Sequence, residues 1–403
     1  ATVPEVYTLS LLLLLTAFFL LAVWVRSAPS GGSYEPVKEA PPVALAGDGP
    51  VVLLGLVLGF ALAHHITAAL ALPAVALVLW LRRPRAAQLK QLAACGLLLA
   101  GLSLYAYLPI RSALYPVVMW TPIDSWQSLL EHVTGAQYAF RLFGSPAPAI
   151  GYRLATLARG LGAQFTWPVV ILSVAGAFFL LRRSWIMLIS LTLWGGLVVA
   201  HSLFYSIPDI DSYFLPAYAV LAVLAGVGLG HLAAIASRFS GRAAWVPAVV
   251  AVLLVPAVAG WQAAGNWQER DLSGSEGCRR YAAQMLEGVA ENGMVIALAD
   301  RVLFPLTYML DVEGVRADVD LVCIRARASE LEKHAKRIVL PSESELCSSF
   351  EQAAADPSLS ARETVPVGNY LPLLVQLNQD LRPVYCGPDL ARRQFPDRAA
   401  PSG

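Results

Sequence analysis

Seven long apolar runs limit what this chain can fold into: Thr8–Val25, Val51–Leu81, Leu92–Leu108, Trp167–Leu181, Trp185–Ser206, Leu215–Ala236 and Ala244–Trp261. A helix rises about 1.5 Å per residue and a bilayer's hydrocarbon core is about 30 Å thick, so most runs suit one crossing. Val51–Leu81 does not, since as one straight helix it would span roughly 46 Å. Its middle carries His64-His65, with Pro73 following. We divide it into Pro50–His64 and Ile66–Leu81, meeting at the histidines, which gives eight crossings. The division also improves the charge bias. Arg26, Lys38, Arg82, Arg83, Arg85, Lys90, Arg182, Arg183, Arg238 and Arg242 then fall on the cytosolic side, leaving Arg111, Arg141, Arg153 and Arg159 in one long external loop. Without it, seven crossings remain and the bias weakens. Either way the C-terminal region lies outside. Trp24, Trp80, Trp167, Trp185, Trp245 and Trp261 stand at run ends as interfacial anchors.

Charge separates two parts. Through Gln262 there are 14 Lys/Arg and 8 Asp/Glu, a net of +6; the remaining 15 Lys/Arg and 20 Asp/Glu give −5. The expected organisation is a transmembrane domain over 1–262 with an external loop at 110–166, an extracytoplasmic α/β domain over 263–395, and a disordered tail at 396–403. With 57% hydrophobic and 14% charged residues, against about 25% charged in ordinary soluble domains, a plain soluble protein is excluded. A net charge of +1 without a long basic tract excludes a nucleic-acid binder.

In the external loop, Thr121-Pro122-Ile123-Asp124 reads as a helix start, followed by Trp126, Leu129, Leu130 and Val133 on one face. Leu154, Leu157 and Leu161 mark a second helix, with Arg153 and Arg159 available to lipid headgroups. Both suit the outer membrane surface; packing on the soluble domain is the alternative. Gly55-x-x-x-Gly59 and Gly226-x-x-x-Gly230 read as helix-packing faces. In the acidic part, helices are expected at Gly277–Val289, Val302–Leu310, Ala328–Arg337 and Tyr370–Leu381, and strands at Met294–Leu298, Val319–Ile324 and Pro383–Cys386. This alternation suggests a small parallel sheet. Cys95, Cys278, Cys323, Cys347 and Cys386 show no metal-type spacing and read as small buried hydrophobes rather than bridges.

Polar residues beside apolar runs carry the functional signal, because polarity at bilayer depth is costly. In the eight-crossing topology Glu5, His64, His65, Arg111, Asp209 and Asp211 fall around the external surface. Each also has a plain structural reading. Glu5 reads as a solvated terminal residue, the histidines as partners for backbone groups freed at a helix break, Arg111 as a lipid-phosphate contact, and Asp209 and Asp211 as turn formers. His201 reads as a packed residue and His231 as structural. No ligand spacing points to a metal, and a divalent cation stays undecided.

Four membrane stretches resemble a prokaryotic membrane family of undefined function that is related to the eukaryotic transmembrane O-mannosyltransferase. They are Glu5-Val6-Tyr7; Gly59-Phe60-Ala61-Leu62-Ala63-His64-His65-Ile66-Thr67; Tyr107-Leu108-Pro109-Ile110-Arg111 with Trp120, His132-Val133-Thr134-Gly135 and Gln137-Tyr138; and Asp209-Ile210-Asp211-Ser212-Tyr213-Phe214-Leu215-Pro216. Arg279-Arg280-Tyr281-Ala282, Phe304-Pro305-Leu306 and Val312-Glu313-Gly314-Val315-Arg316 extend the resemblance in the same order. It implies a GT-C glycosyltransferase taking a sugar from a polyprenyl-phosphate donor to a hydroxyl acceptor, protein or glycan, at the external face of a bacterial plasma membrane. Arg111 then clamps phosphate and His65 supports it. Glu5 or Asp209 orients the acceptor or a base, while Asp211 and Tyr213 shape the site. His64, Trp120 and Tyr205 join the substrate-binding set. The chain departs from the family in three places. It is expected to begin downstream of an acidic Asp-Ser-Gly-Glu-type loop, as the latter part of a longer protein. Ala299-Asp300-Arg301-Val302-Leu303 replaces a Gly-Asp-Asn-Asp-like run, and His64 replaces an Asn. A lipid or solute transporter or flippase, or a non-catalytic envelope assembly factor, are the rival readings.

Overall fold

The computed structural model describes residues 6–27, 49–82, 88–114, 123–143, 147–207, 210–271, 273–324, 331, 337–342, 344–346 and 367–387. Glu5, Trp120, Asp209, the expected Ala328–Arg337 helix and the expected disordered tail 396–403 lie outside them, apart from the single residues 331 and 337. The chain is mostly helical with one small sheet, and it divides into two compact units, 2–113 with 122–271, and 272–403 with 114–121. Helix α11 runs past the expected limit at Gln262 to Arg270.

The first unit contains α1 (Val6–Ser27), α2 (Gly49–His64), α3 (Leu72–Arg82), α4 (Gln88–Leu102), α5 (Tyr107–Ser112), α6 (Trp126–Thr134), α7 (Ala147–Gln164), α8 (Trp167–Arg183), α9 (Trp185–Phe204), α10 (Leu215–Phe239) and α11 (Val246–Arg270). Among the described residues five stretches are long and apolar enough to cross a membrane: Tyr7–Arg26, Ala93–Ser112, Trp185–Phe204, Ile210–Phe239 and Val246–Gly265. A sixth exists if α7 and α8, bent by 102°, count as one span. These helices indicate an integral membrane protein. Each of the eight expected crossings is helical, but three are short: α2 has 16 residues, α8 has 17, and Ile66–Arg82 is broken into a 3-10 turn (Ile66–Ala71) and α3. The break between α2 and that turn falls at His65, whose extended backbone (φ −154°, ψ 128°) ends one helix and caps the next.

The core of this unit joins α1, α2, α3, α9 and α10 through residues such as Leu14, Phe18, Leu54, Val78, Trp194 and Leu224. α2 packs on α1 and α4, whereas α3 packs on α9. Gly55 and Gly59 lie directly against the backbone of Ala94, Leu98 and Gly101 on α4, where a Cβ would collide. The second glycine pair is different from expectation. Gly226 and Gly230 face open space, and it is Gly228 that meets Leu172 and Gly176 on α8. Residues two apart on a helix point nearly opposite ways, so the packed face is the other one.

Both expected helices of the long connection are present. The first begins at Trp126, after Ile123 and Asp124, which are not helical; Thr121 and Pro122 lie outside the described residues. Ser125 is its N-cap and forms a reciprocal capping box with Ser128. In the second, α7, the guanidinium of Arg153 is not available to headgroups: the residue is buried and donates to Leu203 O at 2.7 Å. Arg159 is exposed and donates to Thr156 Oγ1.

The second unit is an α/β layer structure. It contains α12 (Gly277–Glu287), β1 (Met294–Ala297), α13 (Asp300–Thr307), β2 (Asp320–Cys323), α14 (Leu371–Gln379) and β3 (Val384–Cys386). The strands form a parallel sheet in the order β2-β1-β3. Alternation along β1 supplies two cores. Met294 and Ile296 pack with Leu371 and Leu374 of α14, while Val295 and Ala297 pack with Ala282, Leu286, Val302 and Leu306 of α12 and α13. Cys95 and Cys278 are exposed and Cys323 and Cys386 are half-buried; all four are free thiols, so among the described residues the expectation of buried small hydrophobes fits only the last two, and Cys347 lies outside them. Burial pushes the Cys386 thiol up from its ordinary range.

Candidate functional site

The site is built from polar side chains at helix breaks of the first unit. At the α2 break, His65 Nδ1 lies 2.7 Å from Thr67 Oγ1 and accepts from Thr67 N at 3.3 Å. At the end of α9, Tyr205 turns extended and forms an antiparallel bridge with Leu142. A 3-10 turn, Ile210–Phe214, then precedes α10 and carries Tyr213.

These breaks bring rings from four segments together. Tyr213 is 5.3 Å from Tyr7, 6.2 Å from His65, 6.0 Å from His201 and 5.5 Å from Tyr205, centroid to centroid. Tyr7 lies 5.6 Å from His65, and His201 stacks on Tyr205 at 5.0 Å. Beneath the rings is a small cavity of about 20 Å3, bordered by α1, the Ile66–Ala71 turn, α9 and the start of α10. Its walls include Tyr7, Ser10, Thr67, Trp194, His201 and Tyr213, and among the described residues none that lines it is Asp, Glu, Lys or Arg.

The long connection fixes the α9 end of this site. The last carbonyls of a helix lack internal partners. Here Arg153 Nη1 donates to Leu203 O, Phe143 N donates to Phe204 O at 3.0 Å, and Arg141 Nη1 donates to Ser206 O at 3.3 Å. Ser202 Oγ, buried, reaches Val198 O at 2.8 Å and Tyr213 O at 3.4 Å, tying the two turns.

Of the expected site residues, His65, Tyr205 and Tyr213 come together. His64 is half-buried at the end of α2, outside the ring group described. Arg111 is exposed on α5 and Asp211 is exposed on the Tyr213 turn; neither lines the cavity. Sequence reasoning did not assign Tyr7, Trp194, Arg141 or Arg153 to a site, and it gave His201 a packing role. Tyr7, Trp194 and His201 sit inside apolar helices that hide them, and Arg141 and Arg153 are placed by carbonyls distant in sequence. Among the described residues no three His, Cys, Asp or Glu side chains gather in a metal-holding group.

The motifs of the second unit are tied to one another structurally. Arg279 pairs with Glu313 at 3.1 Å. Arg316 donates to Leu286 O in the last turn of α12 and to Val289 O and Ala290 O beyond it, and pairs with Asp318 at 2.8 Å. That guanidinium holds the Asp318 carboxyl well below the usual range. Compared with family models, with characterised proteins and with solved structures, the chain matches none of them.

Proposed function

We propose that the protein is a membrane glycosyltransferase of the GT-C kind, moving a sugar from a polyprenyl-phosphate donor to a hydroxyl acceptor on the external face. The observation that carries this reading is the convergence of His65, Tyr205 and Tyr213 with Tyr7 and His201, from segments far apart in sequence, at the ends of apolar helices. Hydrogen-bonding rings beside apolar helix surfaces suit a ligand with a polar head and a prenyl tail. The cavity beneath the rings is too small for a sugar, so the sugar would lie on their open side.

In such a transfer the anomeric carbon–oxygen bond to phosphate breaks, and phosphate leaves with the electron pair. The acceptor oxygen bonds to that carbon and its proton passes to a carboxylate. Glu5, Asp209 and Asp211 are the proposed carboxylates; Asp211 is carried by the same turn as Tyr213. Arg111 is the proposed phosphate partner, since a guanidinium pairs two phosphate oxygens and stays charged. Trp120 and His64 complete the proposed substrate contacts. The second unit is proposed to lie outside the membrane and to select the acceptor.

The test is reconstitution in liposomes with radiolabelled polyprenyl-phosphate sugars and a panel of hydroxylated acceptors. Label should move to an acceptor, and His65→Ala and Tyr213→Phe should each lower the rate at least tenfold with the fold retained. Absence of transfer to every acceptor, with both variants harmless in cells, removes the enzyme reading.

A further inference from the structure

We propose that the cavity beside α9 is a hydroxyl site: it takes a neutral oxygen, from a water or an alcohol, with Trp194 as its donor and His201 on the same wall. The proposal stands whether or not the protein transfers sugars. Trp194 lies mid-way along α9 and is fully buried, and its Nε1 has no hydrogen-bond partner among the described residues. Its ring stacks on Phe18 at 4.6 Å and 20°, so the N–H direction is fixed by packing. An indole N–H only donates, so its partner must be an acceptor.

Two helical turns further on, His201 borders the same cavity, and its Nδ1 is likewise buried without a partner. Two orphaned ring nitrogens on one face of an apolar helix are costly, because a hydrocarbon-side environment offers nothing else to pair them. An oxygen that accepts from Trp194 Nε1, and that meets His201 Nδ1 directly or through a second oxygen, satisfies both. The walls argue for neutrality. Among the described residues they carry no ionisable acid, lysine or arginine to balance a phosphate, a carboxylate or a cation, and an unpaired charge there would be strongly disfavoured. Size argues for one or two oxygens: about 20 Å3 holds little more than a water. If the oxygen belongs to an alcohol, only its hydroxyl enters the cavity and its alkyl chain stays outside.

The test uses the full chain in nanodiscs, with n-decanol as the alcohol probe and n-decane as its control. Trp194→Phe keeps the stacked ring and removes the donor. The ultraviolet resonance Raman difference between unsubstituted protein and W194F isolates the Trp194 indole, whose N–H band reports hydrogen bonding. A bonded indole, with decanol but not decane raising the Tm of the unsubstituted protein and not of W194F, supports an alcohol source. A bonded indole with no response to decanol supports water. An unbonded indole, with and without decanol, overturns the proposal. Should W194F fail to fold, a high-resolution map of the unsubstituted protein decides: an oxygen peak within hydrogen-bonding distance of Trp194 Nε1 supports the site, and its lack overturns it.

Discussion

Arginine side chains in this protein repeatedly donate to backbone carbonyls at the ends of elements. Arg153 does so at the end of α9, Arg316 at the end of α12, and Arg382 beside the sheet. Arg382 is buried, donates to Asn292 O and Gly293 O, and pairs with Asp320 at 2.6 Å. Arg382→Ala leaves Asn292 O without its donor and Asp320 with only the more exposed Arg337, which should destabilise the second unit by about 1–3 kcal/mol. Urea denaturation followed by a probe in that unit measures the loss. Asp318 gives a pH signature. Its carboxyl is depressed in the folded state by Arg316, so its contribution is present above the unfolded value of about 3.9 and fades as pH falls through the lower folded value. Asp318→Asn should therefore lose stability at neutral pH and show a shallower acid limb. Equal acid limbs in the two proteins would count against the pair.

Helix contacts rest on single glycines, and a small change separates faces that the sequence left ambiguous. Gly228→Ala places a Cβ against the Leu172 backbone on α8, whereas Gly226→Ala meets open space. The first should lower the thermal stability of the detergent-solubilised protein by overpacking, about 1–3 kcal/mol, and the second should be neutral or slightly favourable. Three glycines spaced two apart announce close packing without saying which face is used, so the Gly226–Gly230 expectation failed. The helix break at His65 was legible because two imidazoles interrupt a run too long for one crossing. The start of α6 was not, since Thr121 and Ser125 are both capping residues and local chemistry alone does not choose between them. Likewise Arg153 looked like a surface cation in a loop. Its role depends on Leu203 O, fifty residues away, which no local pattern reveals.

For the whole molecule, the apolar runs and the change of charge near Gln262 foretold a membrane unit and an α/β unit, and the parallel sheet followed from alternating strands and helices. The site was legible only in part. His65 stood out as a polar residue at a helix break, Tyr205 and Tyr213 entered only through the family resemblance, and Tyr7, Trp194 and His201 were masked by the hydrophobic helices that carry them. Orientation is testable through Cys278, an exposed thiol on α12. With Cys95, Cys323, Cys347 and Cys386 replaced by Ser, a membrane-impermeant maleimide should label Cys278 in intact cells. Labelling only after permeabilisation would place the second unit in the cytosol.

The β2-β1-β3 order also sets a timetable for synthesis. β1 is the central strand, yet its partner on one side, β3, begins only at Val384. While the intervening residues are being made, β1 keeps one open row of backbone donors and acceptors, the kind of edge that recruits foreign strands. A ribosome halted before Pro383 would thus release a chain with its most buried strand half-zipped, a substrate for quality-control proteases rather than a slightly shortened protein.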